Sequence, residues 1–373
     1  MTRALTIGFV LDDSLDSTDG VQQYVLTLGA WLTEQGHTVH YLVGETARTD
    51  IPNVHSLSRN VRVSFNKNRL SVPRFANKAK IKQLFGDVSF DILHVQMPFS
   101  PMLAARVIDA APATTRVIGT FHILPAGGLQ TVATRVLGSI VRRSIKRFDD
   151  VISVSEPARV FSNKTLGVSS VVIPNAVNVS AMKTKKPRKN NLHTIVFLGR
   201  LVERKGAGHL LAAFAQMPRR DAARLIIGGK GPLLAKLKAQ AANLGIAERV
   251  EFAGFVSEEQ KPSFLAQADL AVFPSTGGES FGIILVEAMA AGAGVVIAGD
   301  NPGYRTVMHE RHEVLVQPDD HRLFAEHMAE LLRDQTLADE LHDWQQGLLA
   351  QFDVETVGPK IVERYRDALR SKS

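Results

Sequence analysis

Short apolar, strand-like runs alternate with longer stretches of helical period through the first half of the chain. Residues 3–11 read as a first strand, followed by a loop and a helix over 21–35 that closes at Gly36. Runs at 37–44, 91–96, 116–122, 151–155 and 171–174 read as further strands. Strands that alternate with helices predict a doubly wound α/β domain. Residues 183–191 are polar, charged and almost free of apolar side chains, as a linker or exposed loop would be. The alternation restarts at 194–199 and continues through 225–228, 250–252 and 268–274. A helix-rich tail follows from about His321, and its last helix, 354–370, is placed to cross back onto the first domain. The pattern predicts two Rossmann-like domains facing a cleft: residues 1–180 with the returning helix, and residues 190–350.

A chain of 373 residues exceeds one ordinary core, which agrees with two domains. Hydrophobic residues make up 45%, enough for both to fold. Cysteine is absent, which excludes a disulfide framework, a thiolate metal site and a cysteine nucleophile, and suits a reducing compartment. The N-terminus has only a short apolar run before Asp12 and Asp13, unlike a signal peptide. No stretch approaches the roughly 20 apolar residues that span a bilayer. The net charge of +7 is uneven: residues 1–177 hold 19 basic and 13 acidic side chains, and residues 178–373 hold 25 and 24. Arg59, Arg62, Lys67, Arg69, Arg74, Lys78, Lys80 and Lys82 face only Asp87, and Arg135, Arg142, Arg143, Lys146 and Arg147 form a second group. Such clusters bind anionic lipid or nucleic acid. No nucleic-acid-binding module is recognisable, and 6% aromatic residues give little stacking surface.

The densest chemistry lies at 277–292, where Gly-Gly-Glu-Ser-Phe-Gly runs into Ile-Ile-Leu-Val-Glu-Ala-Met-Ala-Ala-Gly. Glu279 in the glycine-rich turn and Glu287 on the apolar helix behind it stand eight positions apart. A strand feeds the turn, so the amides at the helix N-terminus face the carboxyl end of a sheet, where anionic groups bind. Two carboxylates flanking such a site can accept hydrogen bonds from hydroxyls on both sides of a diphosphate, as a nucleotide sugar offers. A solvated glycine turn is the plainer alternative for an isolated pair. The segment resembles the Glu-x7-Glu signature of retaining glycosyltransferase family 4, and is similar in wording to its phosphatidylinositol mannosyltransferase branch. The resemblance implies a GT-B fold and a nucleotide diphosphate sugar donor, GDP-mannose or UDP-glucose. It also implies donor contacts from Glu279, Ser280, Phe281, Gly282, Ile283 and Glu287.

Arg200 and Lys205 follow the first strand of the second domain, where a guanidinium and an ammonium would neutralise a diphosphate leaving group. The family's Gly-Arg-Leu…Lys-Gly segment has that role. By the same resemblance, Gly229 in 228–232 and Val256 in 254–256 cradle the base and ribose. Gly20 opens the first helix, where backbone amides would reach the phosphate; the family usually has two glycines, and Asp19 replaces the first. His122 ends the strand 117–122; a lone strand-end histidine is more often structural, but the Thr-Phe-His wording resembles the family position where a histidine contacts the donor sugar. Asn175 reads as a structural turn. No carboxylate stands out as a nucleophile, no Asp-x-Asp metal motif falls at a strand end, and no motif requires Mg2+. The resemblance therefore implies transfer on one face of the sugar, with the departing diphosphate helping to deprotonate the acceptor and His122, Glu279, Arg200 and Lys205 as the catalytic set.

The charge of the first half points to work at an anionic membrane surface, peripheral on the inner face of the cell membrane. Arg74, Lys78 and Lys82 have four-residue spacing and would share a helical face, with Lys80 beside them. Residues 131–148 place Val132, Val136, Leu137, Ile140, Val141 and Ile145 opposite most of their basic side chains. That fits either a membrane-surface helix or an ordinary helix packed on its own domain. Phe99 stands where the mannosyltransferase branch carries a polar residue, and Ile123-Leu124-Pro125 follows His122. A less polar acceptor pocket is expected, favouring a diacylglycerol-like or other lipid alcohol over inositol. A retaining hexosyltransferase acting on a membrane lipid is the leading expectation. The alternatives are a soluble-acceptor transferase, a nucleotide-sugar 2-epimerase of the same fold, and a non-enzymatic basic surface-binding protein.

Overall fold

The structure, a computed structural model, describes residues 3–17, 19–65, 68–73, 75–125, 127–184, 192–218, 223–309 and 311–371; the side chains of 60–74 and Leu129 lie outside that description. Two compact units emerge, residues 1–176 with 354–373, and residues 177–353. Most of the expected linker, 185–191, is not among the described residues.

The first unit carries strands β1 (Thr6–Leu11), β2 (Thr38–Val43), β3 (Val54–Ser56), β4 (Asn60–Phe65), β5 (Asn68–Pro73), β6 (Ile92–Met97), β7 (Arg116–Phe121), β8 (Asp150–Ser153) and β9 (Val171–Val172). All except the antiparallel β4–β5 hairpin join one parallel sheet in the order β3-β2-β1-β6-β7-β8-β9. A parallel sheet is covered on both faces, and Ile7, Phe9, Ile92, Val95 and Ile118 are accordingly sealed from solvent. Helices α1 (Gly20–Glu34), α2 (Lys78–Asp87), α3 (Ala104–Ala110), α4 (Gly128–Ile140), α5 (Arg142–Ile145) and α6 (Glu156–Leu166) connect the strands. In α1, Val25, Leu28 and Leu32 recur at three- and four-residue spacing and bury against the sheet. The Asn77 side chain caps α2 by accepting from the Ala79 and Lys80 amides. The helix thus begins at Lys78. Arg74 precedes it and lies outside the described residues, so the expected shared face reduces to Lys78 and Lys82.

The second unit carries α7 (Val179–Met182), β10 (His193–Leu198), α8 (Ala207–Gln216), β11 (Ala223–Gly228), α9 (Leu234–Asn243), β12 (Val250–Gly254), α10 (Lys261–Ala266), β13 (Leu270–Phe273), α11 (Ile283–Ala290), β14 (Val295–Gly299), α12 (Pro302–Met308), β15 (Leu315–Val316), α13 (His321–Arg333) and α14 (Gln335–Leu348). Its parallel sheet runs β12-β11-β10-β13-β14-β15. Strand order reverses between β10 and β13, and the crevice outside the carboxyl ends of such a pair is where open α/β sheets bind ligands.

The last helix, α15 (Val354–Arg370), belongs to the first unit. Its Val357, Ile361 and Tyr365 join a core with Phe9, Leu28 and Trp31. Gly358 makes this fit, since a Cβ there would stand 2.5 Å from the Trp31 ring. Among the described residues no helix is long and apolar enough to cross a membrane.

Candidate active site

At the second unit's switch point, the loop after β10 carries Arg200, Arg204 and Lys205, and the loop after β13 carries Ser275 and Glu279. Three donors converge on Glu279 Oε1: Arg204 Nη1 at 2.5 Å, Lys205 Nζ at 2.8 Å and Ser275 Oγ at 2.8 Å. Burial raises the pKa of this carboxyl, but Lys205 and Arg204 outweigh it and bring the group down to about 2. Two basic side chains thus face one carboxylate, with burial lowering the Lys205 pKa against the pull of Glu279, and Arg200, half-buried in the same loop, adds a further cation. The helix α11 starts directly behind, with no side chain capping its N-terminus. Cations and an uncapped helix start at one sheet edge suit a polyanion.

Arg204 joins Arg200 and Lys205 in this loop, and Glu279 holds both Arg204 and Lys205. Arg204 lies between the two basic residues singled out in the sequence, which was the available signal. Ser275 had none, because its role depends on two loops meeting. Asn301 completes the turn: its side chain is buried and donates to the carbonyls of Ser275 and Gly299.

Glu287, on the second turn of α11, is 7% exposed, with Oε1 2.8 Å from Lys261 Nζ. Lys261 also reaches Glu258 at 2.5 Å. A buried ammonium between two carboxylates was not legible in the sequence, and it commits Glu287 to an ion pair as well as to any hydroxyl it accepts from. Phe281 is buried and meets Phe352 edge-on at 5.4 Å, so its side chain is core and only its backbone is available to a donor. Ser280, Ile283 and Val256 are half-buried, and Gly282 is buried at the helix start with φ of 123°.

Gly229 was expected to admit a planar base. The structure adds a second requirement for glycine: a Cβ there would stand 1.9 Å from the Gly199 carbonyl oxygen. Gly206 meets the Pro274 carbonyl and Gly303 the Glu279 carbonyl at the same hypothetical distance. These glycines let the loops of the switch point touch one another.

In the first unit, His122 follows β7 and is 7% exposed. Its Nε2 lies 2.8 Å from Gln96 Oε1, and Tyr24 meets its ring edge-on at 5.0 Å. Gln96 Nε2 donates to the His94 carbonyl, which turns Oε1 toward His122 and places the imidazole proton on Nε2. Burial lowers the His122 pKa to about 3, so the ring is neutral. Next to it, His94 bonds Tyr365 and Thr120, each at 2.6 Å. Gly20 is the exposed first residue of α1. Asp12, at the end of β1, accepts from the Ser100 amide, the Ser100 hydroxyl and the Ala104 amide, while burial raises its pKa to about 6.

Phe99 does not line a surface. It is 2% exposed and stacks on Phe148 at 5.7 Å, which removes it as an acceptor contact. Lys78, Lys80 and Lys82 are exposed on α2, and Lys80 Nζ reaches the Ser56 carbonyl at 3.3 Å.

A family model described as glycosyl transferases group 1 matches residues 179–346, and one described as glycosyltransferase family 4 matches residues 18–181. The chain is 31% identical to a phosphatidyl-myo-inositol mannosyltransferase of Mycobacterium leprae, over 99% of this chain and 98% of that protein. It is 26% identical to an alpha-monoglucosyldiacylglycerol synthase of Streptococcus pneumoniae, over 99% and 87%. Among solved structures, Anabaena Alr3699/HepE in complex with UDP-glucose superposes with a TM-score of 0.75 at 20% identity, covering 97% of this chain and 100% of that one.

Proposed function

The chain belongs to the retaining family 4 glycosyltransferases of GT-B fold, and from that premise we propose that it moves a hexose from a nucleotide diphosphate sugar to a membrane lipid. The observation that carries this reading is the convergence of Arg204 and Lys205 on Glu279 at the switch point, beside Arg200 and the start of α11. In retaining transfer on one face, the bond from the anomeric carbon to the diphosphate breaks as the acceptor oxygen bonds to the same carbon. The acceptor proton passes to a departing phosphate oxygen. Negative charge grows on the leaving group, and cations already fixed by a carboxylate need no reorganisation to meet it. Gly20, Gly229, Val256, Ser280, Gly282, Ile283, the Phe281 backbone and Glu287 complete the donor contacts in this reading, and neutral His122 acts as a hydrogen-bonding partner of the donor sugar.

Mannose is the sugar favoured by likeness to the mycobacterial mannosyltransferase and glucose the one favoured by likeness to the glucolipid synthase, which makes GDP-mannose and UDP-glucose the donors to test. The acceptor is phosphatidylinositol or diacylglycerol, met at the inner face of the cell membrane by a peripherally bound enzyme. A thermal-shift screen with GDP, UDP and their sugars identifies the base, since a ligand of the native state raises stability by RT ln(1 + [L]/Kd). Transfer of labelled sugar to each lipid then identifies the acceptor. Lys205→Ala is expected to cut transfer by about 100-fold or more. Normal transfer in that variant, or no shift with any nucleotide, overturns the assignment.

A further inference from the structure

Helix α4 is turned the wrong way round for an ordinary surface helix. At about 100° per residue, Val132, Val136 and Ile140 fall within an arc of about 80°, and Thr134, Gly138 and Val141 lie on the opposite side. The structure buries the second group. Gly138 presses on α6 so closely that a Cβ would stand 2.7 Å from Leu166 Cδ2, and Thr134 and Val141 are sealed. The three aliphatic side chains point to solvent at 55%, 54% and 61% exposure. The six apolar residues expected on one side therefore divide: Val141 is buried and Leu137 and Ile145 are half-buried against the domain, whereas Val132, Val136 and Ile140 face solvent. An apolar line of this kind on an outer helix face has a solvation cost unless something covers it.

The surrounding charge says what covers it. Arg135, Arg142, Arg143 and Lys146 are exposed on α4, on α5 and just beyond, and no acidic residue occurs between 127 and 148. The segment is also anchored: Ser144 Oγ donates to Asp109 at 2.9 Å, and Arg147 reaches the Ala111 carbonyl at 3.2 Å. A fixed aliphatic ridge bordered by cations fits the boundary of an anionic bilayer, with the apolar side chains among the acyl chains and the cations at headgroup level. A second copy of this chain would bring its own cations against these.

We propose that the outward face of α4 and α5, centred on Val136, Ile140, Arg142 and Arg143, docks this protein on anionic lipid. The inference rests on the peripheral-membrane part of the function proposed above and gives it a location separate from the α2 lysines.

The test is sedimentation of the full-length protein with phosphatidylcholine vesicles, with or without phosphatidylglycerol, alongside a nucleotide thermal shift. Wild type is expected to partition onto the anionic vesicles. Val136→Asp with Ile140→Asp, and separately Arg142→Glu with Arg143→Glu, are expected to lower that partition by more than about tenfold. Unfolding temperature and nucleotide shift should stay unchanged, because these side chains are exposed. Retained vesicle binding in both variants, with loss only in Lys78→Glu/Lys82→Glu, overturns the α4 assignment and leaves the peripheral reading standing. No vesicle binding by wild type overturns both. Conversion of a wild-type dimer to a monomer by the α4 variants, with vesicle binding intact, assigns the face to a second copy and also overturns the proposal.

Discussion

Glu279 shows how a single side chain can have two functions that pull together. Its charge holds Arg204 and Lys205 in place, and those cations hold it ionised down to about pH 2. Glu279→Gln keeps the shape but leaves two half-buried cations without their partner, which should cost about 3 kcal/mol of stability and about 100-fold in transfer. The pH dependence has a definite sign. A carboxyl whose folded pKa lies below its unfolded value of 4.5 contributes stability above that value and loses it as pH falls toward 2. Denaturant midpoints between these limits should therefore fall less steeply in the variant than in wild type. The buried histidines give a second acid limb. His94 and His122, both lowered to about 3 by burial, stay neutral in the fold and protonate on unfolding. Stability is lost as pH falls from 6.5 toward 3, at about 1.4 kcal/mol per pH unit for each ring. His122→Gln should remove one such increment from the slope of unfolding free energy against pH.

At the scale of elements, the loops of the second unit are held by backbone contact. Gly303→Ala would drive a methyl into the Glu279 carbonyl, displacing the turn at the site. A loss of about 1–3 kcal/mol is expected, together with a weaker nucleotide shift. Gly347, within α14, has nothing within 4 Å of its would-be Cβ. Gly347→Ala should instead stabilise by about 0.5–1 kcal/mol with nucleotide binding unchanged. Differential scanning calorimetry of the pair separates the two glycine roles. The sequence alone could not, since both positions read as glycine in or near a helix.

For the whole molecule, the returning helix α15 decides whether the first unit folds. It buries Val354, Val357, Ile361, Val362, Tyr365 and Ala368, and Tyr365 closes the hydrogen bond to His94 across 271 positions. The larger of these side chains contribute about 1.5–3 kcal/mol each, so their sum rivals the stability of a typical domain. Removing residues 354–373 should leave an insoluble or unfolded first unit while the second, 177–353, keeps its structure. Circular dichroism and solubility of the truncated chain check this.

Local order carried much of this protein's identity. Parallel strands buried on both faces are written as continuous apolar runs, so the alternation of elements and both switch-point loops were legible without coordinates. The Glu279 segment was legible because its turn and helix are consecutive in the chain. What the tertiary structure alone decided were the relationships among distant loops: Ser275 and Arg204 on Glu279, Lys261 between Glu258 and Glu287, and Gln96 setting the His122 proton. It also decided direction. The sequence groups six apolar residues at 132–145, but only packing against α6 through Gly138 shows that Val132, Val136 and Ile140 face outward while Val141 is buried. Likewise Phe99 reads as part of an acceptor pocket, and only the fold shows Phe148 stacked against it. Period and propensity act within a few residues, whereas burial is set by whatever the rest of the chain brings alongside.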